Sequence, residues 1–173
     1  MESRVRFAPA NFTFGTDAAP TIKLSCDCDW SALGELTALS GAVIDLNGHN
    51  LKVETLASDY LGAMVTNSNE EVTSCFIVTV PEGKTDTGGI AICGNVKVVK
   101  KGPGTYIAGA TGCTYTGGTF IDEGTAQPPD GTGTNDIYSY DKFKAFGLGE
   151  IVVASNAVFD LRANYRSEEH TSE

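Results

Sequence analysis

The chain has no run of about 18 consecutive apolar residues, the length that marks a membrane-crossing helix, and none is expected to span a bilayer. It also lacks basic clusters. Only 12 Lys and Arg stand against 22 Asp and Glu, a net charge of −10, so nucleic-acid backbones and anionic lipid are excluded as partners. The first 25 residues show neither the basic start nor the apolar middle of a signal peptide, so no export signal of its own is expected. Histidine is nearly missing. With His49 and His170 alone, a multi-His metal site is excluded and any Ser/His/Asp triad would depend on one residue. Leu and Lys are sparse, whereas the 20 Gly and abundant Thr favour strands and tight turns over helices. At 173 residues, one all-β domain is expected.

Alternation with a period of two recurs in short runs: Val43, Leu46, Leu51 and Val53, then Phe76, Val78 and Val80, then Ile90 and Ile92, then Val96, Val98 and Val99. Turn signals separate them at Asn47-Gly48, Glu82-Gly83, Gly88-Gly89, Gly102-Pro103-Gly104, Gly117-Gly118 and Glu123-Gly124. Ser31 to Leu39, with Ser31 as N-cap, is the one stretch that could hold a helical turn or two. Thr125 to Asn135 reads as an inserted loop around Pro128-Pro129-Asp130-Gly131. Self-similarity separates a solenoid from a sandwich. Ser40 to Leu46 recurs as Ser155 to Leu161, and Cys75, Cys93 and Cys113 recur at intervals near one coil of a parallel β-helix. A coil of about 20 residues cannot bury its apolar face alone, so stacked coils must supply the core to one another. At about 4.8 Å per coil, six or seven coils about 30 Å tall are expected. A β-sandwich is the competing architecture.

The run Val99-Lys100-Lys101-Gly102-Pro103-Gly104-Thr105-Tyr106-Ile107, with Cys113-Thr114-Tyr115-Thr116-Gly117-Gly118-Thr119-Phe120-Ile121-Asp122-Glu123-Gly124-Thr125, resembles the autotransporter-associated β-strand repeat. Ala42 to Asn50 and Ala157 to Leu161 resemble flanking coils of the same proteins. Cys113, Pro103, the Pro128 loop and Arg162-Ala163 depart from the pattern. The resemblance implies a right-handed parallel β-helix in the passenger of a large exported bacterial surface protein, with adhesive roles and no catalytic residues on the repeat. Arg166 to Glu173 resemble a translated sequencing adapter. The organisation expected is therefore an N-terminal β segment over 1–24, the repeat domain over 25–165 and an adapter-derived tail over 166–173. Arg4 to Phe7 already reads as a strand, so Met1 reads as internal and the chain as a fragment of a longer protein.

Gly117-Gly118 suits a sharp corner between strand faces, and Thr114, Thr116 and Thr119 suit the pleated strands beside it. Asp45 and Asn47 beside Gly48 would close a corner through side-chain hydrogen bonds to the turn backbone, with His49 in the same turn. A glycosidase needs two carboxylates about 5 to 9.5 Å apart. Asp45 and Asp160 would lie coils apart. Asp122-Glu123, Asp136 and Asp141 read as solvated turn residues. In Cys26-Asp27-Cys28-Asp29-Trp30 two thiols crowd two carboxylates, but no second ligand pair follows at a metal-binding interval; Trp30 reads instead as a cap on the first coil. Cys75, Cys93 and Cys113 are expected to stack as buried thiols. No catalytic, cofactor-binding or metal-binding residue is assigned. The expected function is a non-enzymatic structural or binding module that meets a surface glycan or a host or neighbour-cell receptor, with flanking repeats of its own chain as further partners. A polysaccharide-acting β-helix enzyme and a phage tail-fibre coil are the alternatives.

Overall fold

In the computed structural model, residues 12–14, 21–39, 41–58, 62–108, 112–129 and 144–161 are described. They form a right-handed parallel β-helix of about five turns. Every strand pairing among the described residues is parallel, which rules out the sandwich. Each coil contributes to three faces.

The first face stacks β1 (Phe12–Phe14), β4 (Glu35–Ala38) and β7 (Thr55–Ser58), and continues as a separate sheet with β10 (Thr85–Asp86), β13 (Thr105–Ile107), β15 (Gly124–Gln127) and β17 (Ala157–Phe159). The second holds β2 (Thr21–Lys23), β5 (Val43–Asp45), β8 (Met64–Thr66) and β11 (Ala91–Ile92). The third is the longest, running β3 (Cys28–Asp29), β6 (Leu51–Val53), β9 (Ser74–Thr79), β12 (Val96–Lys101), β14 (Thr119–Ile121) and β16 (Ile151–Val153). The span 1–24 supplies β1 and β2, which pair with β4 and β5.

Alternation sends one row of each strand inward, where the coils stack like on like. Leu51 lies over Phe76 and Phe76 over Val98, all at 1% exposure or less. Burying such rows removes about 25 cal/mol of unfavourable hydration per Å² of apolar surface, and only neighbouring coils can provide that burial.

Coil length varies more than the sequence suggested, so there are fewer coils than the six or seven expected. The step from Leu36 to Leu56 is 20 residues, but that from Phe120 to Val152 is 32. The longer step includes residues 130–143, which lie outside the described residues, and the ladder resumes in register on its far side at β16 and β17. Thr125 to Gln127, expected in the inserted loop, belong to β15 and pair with Thr105 to Ile107; residues 130–135 lie outside those described. Ser31 to Leu33 form a single 3₁₀ turn, after which the chain enters β4. Ser31 is not an N-cap. Asp29 shapes that turn instead, its Oδ1 accepting from the Ser31 amide at 3.0 Å and from the Ser31 hydroxyl.

The 115-residue repeat is local and does not mark one position in the solenoid. Val43–Asp45 lie on the second face and Ala157–Phe159 on the first. What the two segments share is a tight turn feeding a strand, closed by Ala42 N–H to Leu39 O and by Ala157 N–H to Ala154 O, each at 3.0 Å.

Candidate functional site

The corner between the second and third faces is built from Asp and Asn side chains that replace backbone partners. Asp45 Oδ1 accepts from the amides of Asn47 and Ser68, each at 2.9 Å, and Lys23 pairs with its other oxygen at 3.4 Å. Those bonds hold the Asp45 carboxyl below its ordinary range against the opposing pull of burial. Asn47 adopts φ +50° and its side-chain amide donates to Leu24 O on the coil below. One coil up, Asn67 Oδ1 takes the Gly48 amide and its amide group reaches Val72 O and Asn95 O. The expected Asp45-Asn47-Gly48 corner is thus present, and Asn67 extends it. His49 sits in that turn, 3.7 Å from Asp27.

A second corner, between the third and first faces, is lined by glycine because backbones nearly touch. A Cβ on Gly104 would lie 2.2 Å from Pro81 O, and one on Gly102 2.4 Å from Val80 O. This approach leaves carbonyls pointing into the prism, and Lys100 caps them. Its ammonium, on a fully buried residue, donates to Gly102 O at 2.6 Å, Glu123 O at 2.9 Å and Lys101 O at 3.0 Å. Burial lowers the Lys100 pKa to about 8, with Glu123 and Asp86 resisting. Glu123 is more than a solvated turn residue, since its Oε2 accepts the Gly102 amide at 3.1 Å. Asp122 pairs with Lys101 at 3.7 Å on the surface.

Asp86 is buried more deeply than Asp45. It lies where the first face breaks between β7 and β10, and its carboxylate bridges the break by accepting from the Leu56 and Gly88 amides. Ser58 Oγ donates across the same break to Gly89 O at 2.6 Å. Asp86 Oδ2 has no hydrogen-bond partner among the described residues. Burial raises its pKa to about 6, the Gly88 and Leu56 amides and Lys100 opposing and Glu35 adding to the rise. Tyr106 stacks beside Asp86, and Tyr115 meets the Thr119 hydroxyl, which in turn donates to Phe146 O at 3.1 Å. Period-two parity could have found Lys100, because Val96, Val98 and Lys100 share one side of β12. Nothing in the local pattern marked Asp86.

The three cysteines do not stack. Cys75 lies on the third face opposite Lys97. On the second face Thr114 N–H bonds to Ile92 O, which sets Cys93 beside Thr114 and Cys113 beside Ile92. The pairing step there is one residue longer than the cysteine interval, and a one-residue slip reverses a side chain's face. Cys113 is accordingly buried, with its thiol pushed up to about 11 by burial, while Cys93 is half-exposed.

Of the carboxylates weighed from the sequence, Asp45 ends β5 on the second face and Asp160 follows β17 of the first, while Asp136 and Asp141 lie outside the described residues. Asp86 and Lys100 are sealed from solvent at 2% and 0% exposure. Among the described residues no three His, Cys, Asp or Glu converge as a metal-binding group, and no helix is long and apolar enough to cross a membrane.

The prism's last coil is its most unusual surface. Ile151 and Val153 lie in register with buried Thr119 and Ile121, so they belong to the inward row, yet they are 37% and 42% exposed because no further coil covers them among the described residues. Val158 and Leu161 extend this apolar end. Comparisons with family models, curated proteins and solved structures found no match to the chain.

Proposed function

We propose that the chain is a non-enzymatic structural and binding module, a stretch of solenoid within a large exported bacterial surface protein of the autotransporter kind. The uncovered inward row at Ile151 and Val153 carries this reading. Core-type residues left bare at the end of a stack are what a coil presents to the next coil, so flanking repeats of the same polypeptide are its first partners. The lateral faces, edged by charged side chains such as Lys97 over the Phe120 ring at 3.7 Å, are the surfaces left for a glycan or receptor.

The full reading frame of the gene tests the exported placement. An in-frame export signal upstream and a translocating barrel downstream are expected; a frame encoding cytosolic domains on both sides overturns it. Adding one coil with a polar outer row after Leu161 tests the stacking. Binding of a hydrophobic dye should fall and the urea midpoint should rise. Unchanged dye binding on a folded extension would count against a stacking end.

A further inference from the structure

We infer that Cys26 and Cys28 form a vicinal dithiol on the N-terminal corner, a modification site that exchanges with low-molecular-weight disulfides and closes to a Cys26–Cys28 bridge. This stands apart from the surface-module reading and holds or fails without it.

The two thiols are brought together by a pinned backbone. Leu24 N–H bonds to Asp45 O at 2.9 Å, Cys28 N–H to Asn50 O at 2.8 Å and Trp30 N–H to Lys52 O at 2.7 Å, so the segment between is held at both ends. Cys28 lies in register with buried Leu51 and turns toward the core, half-buried, while Cys26 is exposed. The Cys28 thiol donates to Cys26 O at 3.4 Å, which holds the two cysteines against each other two residues apart.

The acids that alternate with them are already engaged. Asp27 accepts from the Asn50 amide at 2.9 Å and its side-chain amide at 3.0 Å. Asp29 is taken by Ser31 and by Lys52 at 3.0 Å. Two sulfurs therefore face a thiophile without carboxylate help, which is too few for a closed structural metal site of four ligands and enough for thiol–disulfide exchange.

The roles differ by exposure. Cys26, open to solvent, loses its proton to water and attacks one sulfur of the incoming disulfide as the thiolate. The S–S bond breaks, a mixed disulfide forms on Cys26 and one thiolate leaves to take a proton from water. Cys28 then loses its proton to solvent and attacks the Cys26 sulfur, expelling the second thiolate. The dithiol gives up two electrons and two protons, and the small disulfide becomes two thiols. Burial and the adjacent Cys26 raise the Cys28 thiol above its ordinary pKa, so closure is the slower step at neutral pH and speeds up with alkali. The remaining thiols serve as internal controls: Cys75 and Cys93 are half-buried and Cys113 is buried.

The whole chain is incubated with glutathione disulfide, quenched in acid at intervals and mapped by peptide mass. A glutathione adduct on Cys26 is expected first, followed by a peptide two hydrogens lighter that spans Cys26 and Cys28, with the interval shortening as pH rises. In Cys28→Ala the reaction should stop at the adduct. In Cys26→Ala labelling within this segment should slow by about tenfold or more, with the burial of Cys28 as the cause. The inference is overturned if Cys75 or Cys93 is labelled as fast as Cys26 in the folded wild-type chain, or if the Cys26 adduct is never resolved by Cys28 up to about pH 9.

Discussion

The two ends of the prism solve the same problem in opposite ways. At the N-terminal end the half-buried apolar side chains of Ile22, Cys28, Trp30 and Leu33 pack against the core, and their surroundings are polar and bonded. Asp27 holds Asn50, Asp29 holds Ser31 and Lys52, and Lys23 reaches Asp45 and Ser68. At the C-terminal end no further coil covers the inward row among the described residues. Of the seven large hydrophobic residues exposed among those described, six lie at Leu148 or beyond, and none precedes Val72. Because a coil gains its stability from its neighbours, a covered end should contribute to stability and a bare end should contribute chiefly to association.

The contrast between the ends has meaning only if the middle anchors both, and Lys100 is the sharpest probe of the middle. Lys100→Met should lower stability by about 3 kcal/mol, since buried carbonyls of Lys101, Gly102 and Glu123 lose their donor and Asp86 loses its nearby positive charge. Urea denaturation of the variant measures this. A loss smaller than that of any end variant would show that the corners do not anchor the stack. Trp30→Ala comes next. Truncating a half-buried indole that packs on the core should cost about 2 kcal/mol, read from the same midpoints, and a neutral result would remove the closed character of the N-terminal end.

The pH dependence sharpens the picture further because the buried ions and the surface acids act in separate windows. Asp86 is raised from 3.8 to about 6. Its folded form holds the proton more tightly, so its stabilising contribution is complete below about pH 4 and is lost as pH rises through 6. Lys100 is lowered from 10.5 to about 8, so its contribution is lost as pH falls through 8 and is present above 10.5. Between them lies a trough of stability, from about pH 6 to 8. Asp29, lowered to about 2 at the N-terminal end, acts in the opposite sense, but only below 3.8. Asp86→Asn should flatten the decline between pH 4 and 6, a change of about 2 kcal/mol, measured as the urea midpoint against pH. An unaltered decline in the variant would assign it to another group.

Much of this architecture was legible from residues. Asn47-Gly48 and Gly117-Gly118 mark corners because few other residues accept the positive φ of Asn47, Gly48 and Gly118. Alternation in Val96-Lys97-Val98 identified strands, and coil-length spacing pointed to stacking. Register was not legible. The cysteine interval on the second face missed the pairing step by one residue, and parity converts that error into the opposite face. Asp86 was hidden for a related reason: its role is to bridge a break between β7 and β10, which are 27 residues apart between Ser58 and Thr85 at their nearest flanks, and no local pattern reports a break in stacking. The exposed C-terminal row was equally silent, since Ile151 to Val153 has the composition of any buried strand and only the lack of a covering coil among the described residues makes it a surface.

That row yields the smallest expected change in stability and the clearest separation of the two ends. Ile151→Ser with Val153→Ser removes apolar surface that is already 37% and 42% exposed, so much less burial is lost than in a covered strand, and the cost should stay below about 1 kcal/mol. The effect should appear in association instead. Dye binding and concentration-dependent light scattering should both fall, because the edge of β16 then offers no apolar row for another strand to cover. If the double variant is as destabilised as Trp30→Ala and scatters as the wild type does, the C-terminal end is part of the closed core and the asymmetry between the ends is lost.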